Sequence, residues 1–428
     1  MKKLPLQPPT KEQLPIIQNT RAGFTLIRGA AGSGKTTTAL LRIRQLVGFW
    51  LARRERLKIQ QDVRVLVVTF NRTLRGYISD LAKEQLSGKT GLSLKVATFS
   101  NLGAELLGPE NIIDAPQRKE KIQSLGIGVP LQTDFLVDEV EYVLGRFESK
   151  DKQEYVTCER TGRGQSPRVP RQLRQQIVSD VIAPYETWKQ SHGMTDWDDL
   201  AVMVSQIESP RKYDIIIVDE SQDLSANQVR GLLNVAADPS SVTFILDAAQ
   251  RIYPKGFTWA EVGISVLPND IYRLEDNHRN TVEICQFAKP LLRDMKVGDD
   301  GTFPNFETCK RHGPKPRVVA GLYRDQIRAA IDFISSSVDL SNESVAFLKP
   351  LGGRWFDTVK NRLRDSGLDY VEITRVAEWP EGDENIALST MSSAKGLEFD
   401  HVIILGLNGR NTTYKLDDED ETCSVCAR

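Results

Sequence analysis

The chain has 428 residues, enough for two to four domains, with 40% apolar and 26% charged residues, an ordinary soluble composition. A net charge of −1 excludes a global basic field, so nucleic-acid binding would have to come from local clusters. No apolar run approaches a membrane span, "MKKLPLQPPTKEQ" lacks the apolar stretch of a signal peptide, and five scattered cysteines fit a reduced, cytoplasmic setting.

In chain order, "FTLIRG" (Phe24 to Gly29) reads as a short buried strand, and the sequence after Thr36 carries helical spacing through Leu40, Leu41, Ile43, Leu46 and Val47. Between them "GAAGSGKTTT" fits G-x-x-x-x-G-K-[ST] in its required strand–loop–helix context. Gly29, Gly32 and Gly34 let backbone N–H groups approach phosphate oxygens, and the helix N-terminus adds its positive end. Lys35 is placed to reach the β- and γ-phosphates and Thr36 to ligate Mg²⁺, with Thr37 beside them in the nucleotide site. ATP and Mg²⁺ are thus the expected cofactors.

"VRVLVVTFNRTL" (Val63 to Leu74) follows, and marks where a domain-sized insert is expected to begin. "TDFLVDEVEYVLGRF" and "QLRQQIVSDVIAPYETWKQS" then read as helices. "CERTGRGQSPRVPRQLRQQ" sets Arg160, Arg163, Arg168, Arg171 and Arg174 against a single acid, Glu159; it reads either as a phosphate-contacting loop or as a solvated one. In "TDWDDLA", Trp197 is expected to be packed and Asp198 to start a helix.

"KYDIIIVDESQDL" contains a continuous apolar run, Ile215 to Val218, that reads as a central parallel strand buried on both faces. Asp219 stands at its C-terminal end, where open α/β sheets place ligand chemistry. Asp219 would hold Mg²⁺, and Glu220 would orient and deprotonate the attacking water. The long stretch between Lys35 and Asp219 exceeds what one mononucleotide-binding fold needs, so a domain-sized insert is expected there.

Acids written D-E-S-Q-D after such a loop resemble the UvrD/Rep-like branch of superfamily 1 helicases, and further matches follow in that family's order. Gln13 in "TKEQ" resembles the adenine-reading glutamine. "VTFNRTL", with Thr69, Phe70 and Asn71, and "ATFSNLG", with Thr98 and Phe99, resemble nucleic-acid-contacting segments. "ILDAAQRIY" is similar to the coupling motif, Gln250 being its γ-phosphate sensor. "LEDNHRNT" resembles the element whose arginine, here Arg279, touches the γ-phosphate from the second lobe. "LSTMSSAKGLEFDHVIILG" looks like the motif joining strand to nucleotide, with Thr390 and Lys395 toward nucleic acid and Gly396 and Glu398 toward the nucleotide.

The resemblance implies an α/β fold of two RecA-like P-loop lobes with parallel sheets, plus a mainly helical domain inserted in the first. The expected boundaries are 1–80 and 205–272 for the first lobe, 81–204 for the insert with 95–103 returning to the first lobe, and 273–428 for a C-terminally incomplete second lobe. It implies an ATP-driven motor on single-stranded DNA, with a duplex bearing a 3′ overhang as a further substrate, moving 3′ to 5′. The alternative is an ATP-gated nucleic-acid-sensing subunit that regulates a partner such as a nuclease, as in phage defence. A P-loop kinase or GTPase would not need Gln250, Arg279 and Lys395 in series.

The chain also departs from the family. His278 occupies the place of an adenine-stacking tyrosine, and either stacks in its stead or simply starts a helix. Ser392 stands where the family has histidine. The block carrying a second catalytic arginine is absent; we expect that the natural chain continues past Arg428, the alternative being a protein that has lost it. The large second-lobe insertion is missing too, since "RVAEWPEGDEN" leads straight into "IALSTMSS". Phe257 and Trp259 in "GFTW" compete for a base-stacking role. The isolated Cys423-x-x-Cys426 pair, complemented only by Cys309-x-x-His312, is a weak zinc signal.

Overall fold

The computed structural model describes residues 1, 8–29, 32–69, 72–108, 110–148, 150–161, 167–208, 211–246, 256–292, 308–349, 355–374, 376 and 378–407. A short helix α1 (Gln13–Gln18) leads into β1 (Gly23–Gly29) and α2 (Lys35–Arg56). Helix α2 buries Leu40, Ile43, Leu46, Val47 and Trp50, one stripe at helical spacing, and ends with Arg53, Arg54 and Arg56, which suit the negative end of the helix dipole. Then come β2 (Val63–Thr69), α3 (Arg72–Gln85), β3 (Leu92–Thr98) and α4 (Phe99–Leu107).

Helices α5 (Ala115–Leu125), α6 (Thr133–Arg146), α7 (Arg171–Gln176), a π-turn over 177–182 and α8 (Ala183–Ser191) pack around their own apolar cluster, which includes Ile122, Val140, Tyr155, Ile177, Val181 and Tyr185. The chain returns through α9 (Trp197–Gln206), β4 (Tyr213–Val218), α10 (Ala226–Asn234), β5 (Ala236–Leu246) and β6 (Ile271–Leu274). Beyond lie α11 (Val282–Ala288), α12 (Tyr323–Ser337), β7 (Val345–Lys349), α13 (Trp355–Asp365), β8 (Val371–Glu372), β9 (Ile386–Thr390), α14 (Met391–Ala394) and β10 (His401–Ile404).

The strands form two parallel sheets, as the sequence leads one to expect of this fold class. The first has six strands in the order β3-β2-β4-β5-β1-β6, the second four in the order β10-β7-β9-β8. All six residues of β4 are buried, because one cluster built on α2 and α3 covers one face and another built on α4, α9 and α10 covers the other. The first cluster also takes in Ile373, Trp379, Ala387 and Leu397, so the two sheets share apolar core.

Several segments sit differently from the sequence boundaries. The first sheet runs on through Leu274, and α3 extends to Gln85. Helix α9 packs Leu200, Ala201 and Val204 under the first sheet rather than among α5–α8. Trp197 is exposed, and Asp196 rather than Asp198 caps α9, its carboxylate accepting from the N–H groups of Asp198 and Asp199. Asp198 instead pairs with Arg118 at 2.7 Å. Among the described residues, no helix is long and apolar enough to cross a membrane.

The arginine-rich stretch is partly internal. Arg160 makes a two-pronged pair with the fully buried Glu139, at 2.8 and 2.7 Å, while Glu139 also accepts from the Tyr155 hydroxyl at 2.5 Å. Arg174 donates to the carbonyls of Val169, Tyr155 and Cys158. Two of the five arginines thus close the helical unit on itself, and Arg163 lies outside the described residues. Removing Glu139 would strand the Arg160 guanidinium in the interior, which costs about 3–5 kcal/mol. We expect Glu139→Ala to lower the urea midpoint sharply and Glu139→Gln, which keeps an acceptor, to lower it less; equilibrium unfolding checks both.

Candidate functional site

The phosphate loop leaves β1 and enters α2 at Gly34, whose φ of 76°, like the 82° of Gly32, lies in the left-handed region that favours glycine. Ser33 is buried in the loop, and its Oγ makes no hydrogen bond among the described residues. Residues 30–31 lie outside them. Gln13 is buried beneath the loop, with Nε2 donating to the Gly34 carbonyl at 3.4 Å and Oε1 accepting from the Thr10 N–H at 2.9 Å. Thr37, half-buried, follows on the first turn of α2.

Strand order brings the acids to this loop. Strands β1 and β4 flank β5, so their C-terminal ends open on the same edge of the sheet. There the Thr36 hydroxyl donates to Asp219 Oδ2 at 3.0 Å. Asp219 is fully enclosed; burial and the neighbouring Glu220 push its carboxyl up to about 6, against the opposing pull of Thr36 and Lys35. A hydroxyl and a buried carboxylate facing a glycine-rich loop form an oxygen donor set of the type a hard divalent cation takes, so Thr36 and Asp219 fit Mg²⁺. Glu220 has φ 53°, a left-handed conformation costly for a residue with a side chain, and its Oε2 accepts from Gln222 Nε2 at 2.5 Å.

Two side chains reach this edge from further along the chain. Lys395, expected at the nucleic-acid strand, is buried against the acids instead: it pairs with Asp223, and Glu220 Oε2 is 3.5 Å away. The reason is electrostatic, since three buried carboxyls crowd the end of β4 and draw a cation. Arg279 pairs with Glu398, both about one-third exposed. Gly396, at φ 85°, lies against Leu74 of α3, where a Cβ would come within 3.0 Å of Leu74 Cδ2. His278 has an exposed side chain, while its backbone N–H donates to the Gly32 carbonyl at 2.8 Å.

The expected strand-contacting residues divide. Phe99 is core, 4% exposed and packed against Gly231 and Leu200, so it offers no stacking face; as the first residue of α4 it is turned inward by the register of β3. Thr98 is buried and caps α4, accepting from Asn101 N–H at 3.2 Å. Thr69 is buried at the end of β2, and Thr390 caps α14. Phe257 and Trp259 are half-buried, Trp259 lying 4.9 Å from Phe244 and 5.6 Å from Phe257 between ring centroids. Phe70, Asn71, Gln250, Cys423 and Cys426 lie outside the described residues. Of the remaining zinc candidates, Cys309 is buried, and His312 faces Glu283 at 3.0 Å. Two further residues stand at this edge that the sequence reading did not single out: Asp223, the last acid of D-E-S-Q-D, which pairs with Lys395, and Asn277, two residues before Arg279, which lies against Gly32.

With this geometry in view, comparison with known proteins is informative. The family model described as the UvrD/REP helicase N-terminal domain matches residues 10–266. The chain belongs to the UvrD/REP helicase family. Among its relatives are the exonuclease/helicase subunit RexA of Lactococcus lactis subsp. cremoris, 27% identical over 147 residues, and an ATP-dependent helicase/nuclease subunit of the same subspecies, 28% identical over 153. An ATP-dependent helicase/nuclease subunit of Lactococcus lactis subsp. lactis is 27% identical over 147. Each alignment covers 29% of this chain and only 12% of the relative, so the chain matches a small part of these proteins' length.

The raised Asp219 carboxyl has a consequence for this UvrD/REP family member. An acid whose folded pKa exceeds its unfolded one costs nothing below the unfolded value of 3.8; its penalty grows as pH rises toward about 6 and is complete above that. Asp219→Asn should therefore raise the melting temperature of the nucleotide-free protein by several degrees at pH 7 and hardly at all near pH 4, measurable by differential scanning calorimetry.

Proposed function

We propose that the chain is the ATP-hydrolysing core of a DNA translocase or helicase, coupling nucleotide turnover in the cleft to movement along a single strand, 3′ to 5′ as the family resemblance implies. The observation that carries this reading is the convergence on one sheet edge of Thr36 and Asp219, 3.0 Å apart, with Lys395 and the Arg279–Glu398 pair arriving from beyond the first sheet. Family membership supports the same class of activity.

In this reading the loop N–H groups and Lys35 bind the β- and γ-phosphates, with Gln13 and His278 at the adenine. Thr36 and Asp219 would hold Mg²⁺, which when bound supplies positive charge to the phosphates. Glu220 takes a proton from the attacking water. For that the cation beside it, Lys395 at 3.5 Å, has to move aside so that the carboxylate can face the water. Arg279 leaves Glu398 for the γ-phosphate, an exchange of one anion for a more highly charged one. Lys395 follows Thr390 and Ser392 closely in sequence, so a strand contacting that segment would shift Lys395 and free the base. Strand binding and hydrolysis would thus be linked through one side chain. Gln250 completes the site as the γ-phosphate sensor.

A second reading has a specific observation in its favour: the relatives' names join a helicase to a nuclease or exonuclease. Here nucleotide and strand occupancy would set the activity of a nuclease partner. Stable co-purification with a nuclease whose rate follows nucleotide state would favour it over an autonomous motor.

Both readings expect ATPase activity in the full-length protein that single-stranded DNA stimulates. Lys35→Ala and Glu220→Gln should abolish turnover, and Arg279→Ala should slow it by roughly 10³ or more, while single-strand affinity without nucleotide stays within about threefold. Phosphate release and fluorescence anisotropy measure these; turnover indifferent to single-stranded DNA would refute the motor.

A further inference from the structure

Asn277 joins two parts of the site that the sequence presents as separate motifs. Its Oδ1 accepts from the backbone N–H groups of Arg279, at 3.2 Å, and Asn280, at 3.1 Å, closing an Asx-type turn that sets the backbone carrying the arginine. Its own N–H donates to Thr308 Oγ1 at 3.0 Å. The same Oδ1 lies 2.5 Å, and Cγ 3.0 Å, from the point where a Cβ on Gly32 would stand, and Arg279 Cβ is 3.1 Å from that point. One residue on, His278 N–H donates to the Gly32 carbonyl at 2.8 Å. Asn277 itself is only 3% exposed.

The arginine-bearing turn is therefore seated on the phosphate loop, by one backbone hydrogen bond and by a side-chain fit that the missing Cβ of Gly32 permits. It also follows within a few residues of β6, which is bonded to β1 in the first sheet. The backbone carrying Arg279 is thus held against the phosphate loop, while its guanidinium reaches Glu398.

We propose that Asn277 is a positioning residue that couples the conformation of the phosphate loop to the aim of Arg279, so that the loop's response to bound phosphates directs the arginine onto the same nucleotide. This rests on the ATPase reading above. A shift of the Gly32 peptide moves the His278 hydrogen bond and the Asn277 side chain together, and Asn277 passes that shift to the Arg279 backbone. Small displacements suffice, because misplacing a catalytic group by about 1 Å can cost 10²-fold in rate.

The test uses the full-length protein with saturating single-stranded DNA. Asn277→Ala removes the acceptor for both turn N–H groups; we expect kcat for ATP to fall about 10- to 100-fold with KM within about threefold. Asn277→Asp keeps an acceptor but adds a negative charge beside the phosphate loop; kcat should return to within about threefold of wild type while KM for ATP rises about tenfold. In an Arg279→Ala background, Asn277→Ala should change kcat by less than about twofold, since its effect passes through the arginine. In Asn277→Ala, as in Arg279→Ala, preference for a non-hydrolysable ATP analogue over ADP should fall while ADP affinity holds. A buried turn residue with only a folding role would lower kcat as much without Arg279 as with it, and would leave the triphosphate preference intact; either result overturns the proposal. Turnover that Lys35→Ala abolishes but Asn277→Ala leaves untouched overturns this inference alone. Turnover insensitive to Lys35→Ala overturns the ATPase reading and this inference with it.

Discussion

Three buried carboxyls at the end of β4, Asp219, Glu220 and Asp223, set the terms for the rest of the molecule. Like charges enclosed this closely cannot all ionise without compensating cations. The fold answers with Lys35 from the loop after β1 and Lys395 from beyond β9, and Asp219 keeps a raised carboxyl even so. Parallel connectivity makes this possible: it carries the ends of β1 and β4 to one edge on either side of β5. The second lobe then does more than cover the site, because one of its lysines helps neutralise the first lobe's acids.

That dependence joins packing to chemistry. The two charge contacts across the cleft, Lys395 with Asp223 and Arg279 with Glu398, each hold a cation that the proposed reaction requires to leave its partner. A nucleotide's phosphates and a divalent cation would alter the charge on both sides. In the proposed reaction the resting pairs would compete with the substrate, and Arg279 and Glu398, which remain partly in water, would exchange the more readily. Lys395, held more deeply, would need a larger push, which in the proposed reaction enters through the Thr390–Ser392 segment next to it.

The phosphate loop and the acidic strand were legible in the sequence because each is a local pattern with one physical meaning: glycines where phosphates approach, and a continuous apolar run ending in acids. Arg279 was singled out through its motif neighbours, and the fold seats it beside Gly32 of the phosphate loop. The stacking role expected of Phe99 failed because a motif position says nothing about which side of a helix start faces the core. The ion pair of Lys395 was not legible for a related reason. Its partner Asp223 lies far away in sequence, and only the approach of the second sheet brings them together. Asn277 escaped notice because its contacts depend on a turn geometry and on the absence of a Cβ on Gly32, neither of which composition or periodicity carries. The arginines of the 158–176 stretch left open a phosphate-contacting or a solvated loop, and neither reading anticipated that Glu139, a single acid in another helix, claims one of them.

The shared apolar cluster limits how the lobes can move. Tyr77 of α3 meets Trp379 edge-on at 4.9 Å, Thr73 donates to the Ile373 carbonyl at 2.8 Å, and the Trp379 indole N–H donates to the Met1 carbonyl at 3.1 Å. Separating these surfaces would expose large aromatic and aliphatic side chains at about 25 cal/mol per Å², more than the exchange of a few partly screened ion pairs returns. Motion that keeps Tyr77 and Trp379 together while opening the polar edge at Lys395 and Glu398 is far cheaper. For any such opening the aromatic contact is the natural pivot and the charged cleft its free end. A few ångströms of opening at the phosphates would be transmitted to the Thr390–Lys395 segment without breaking the core on which both sheets rest.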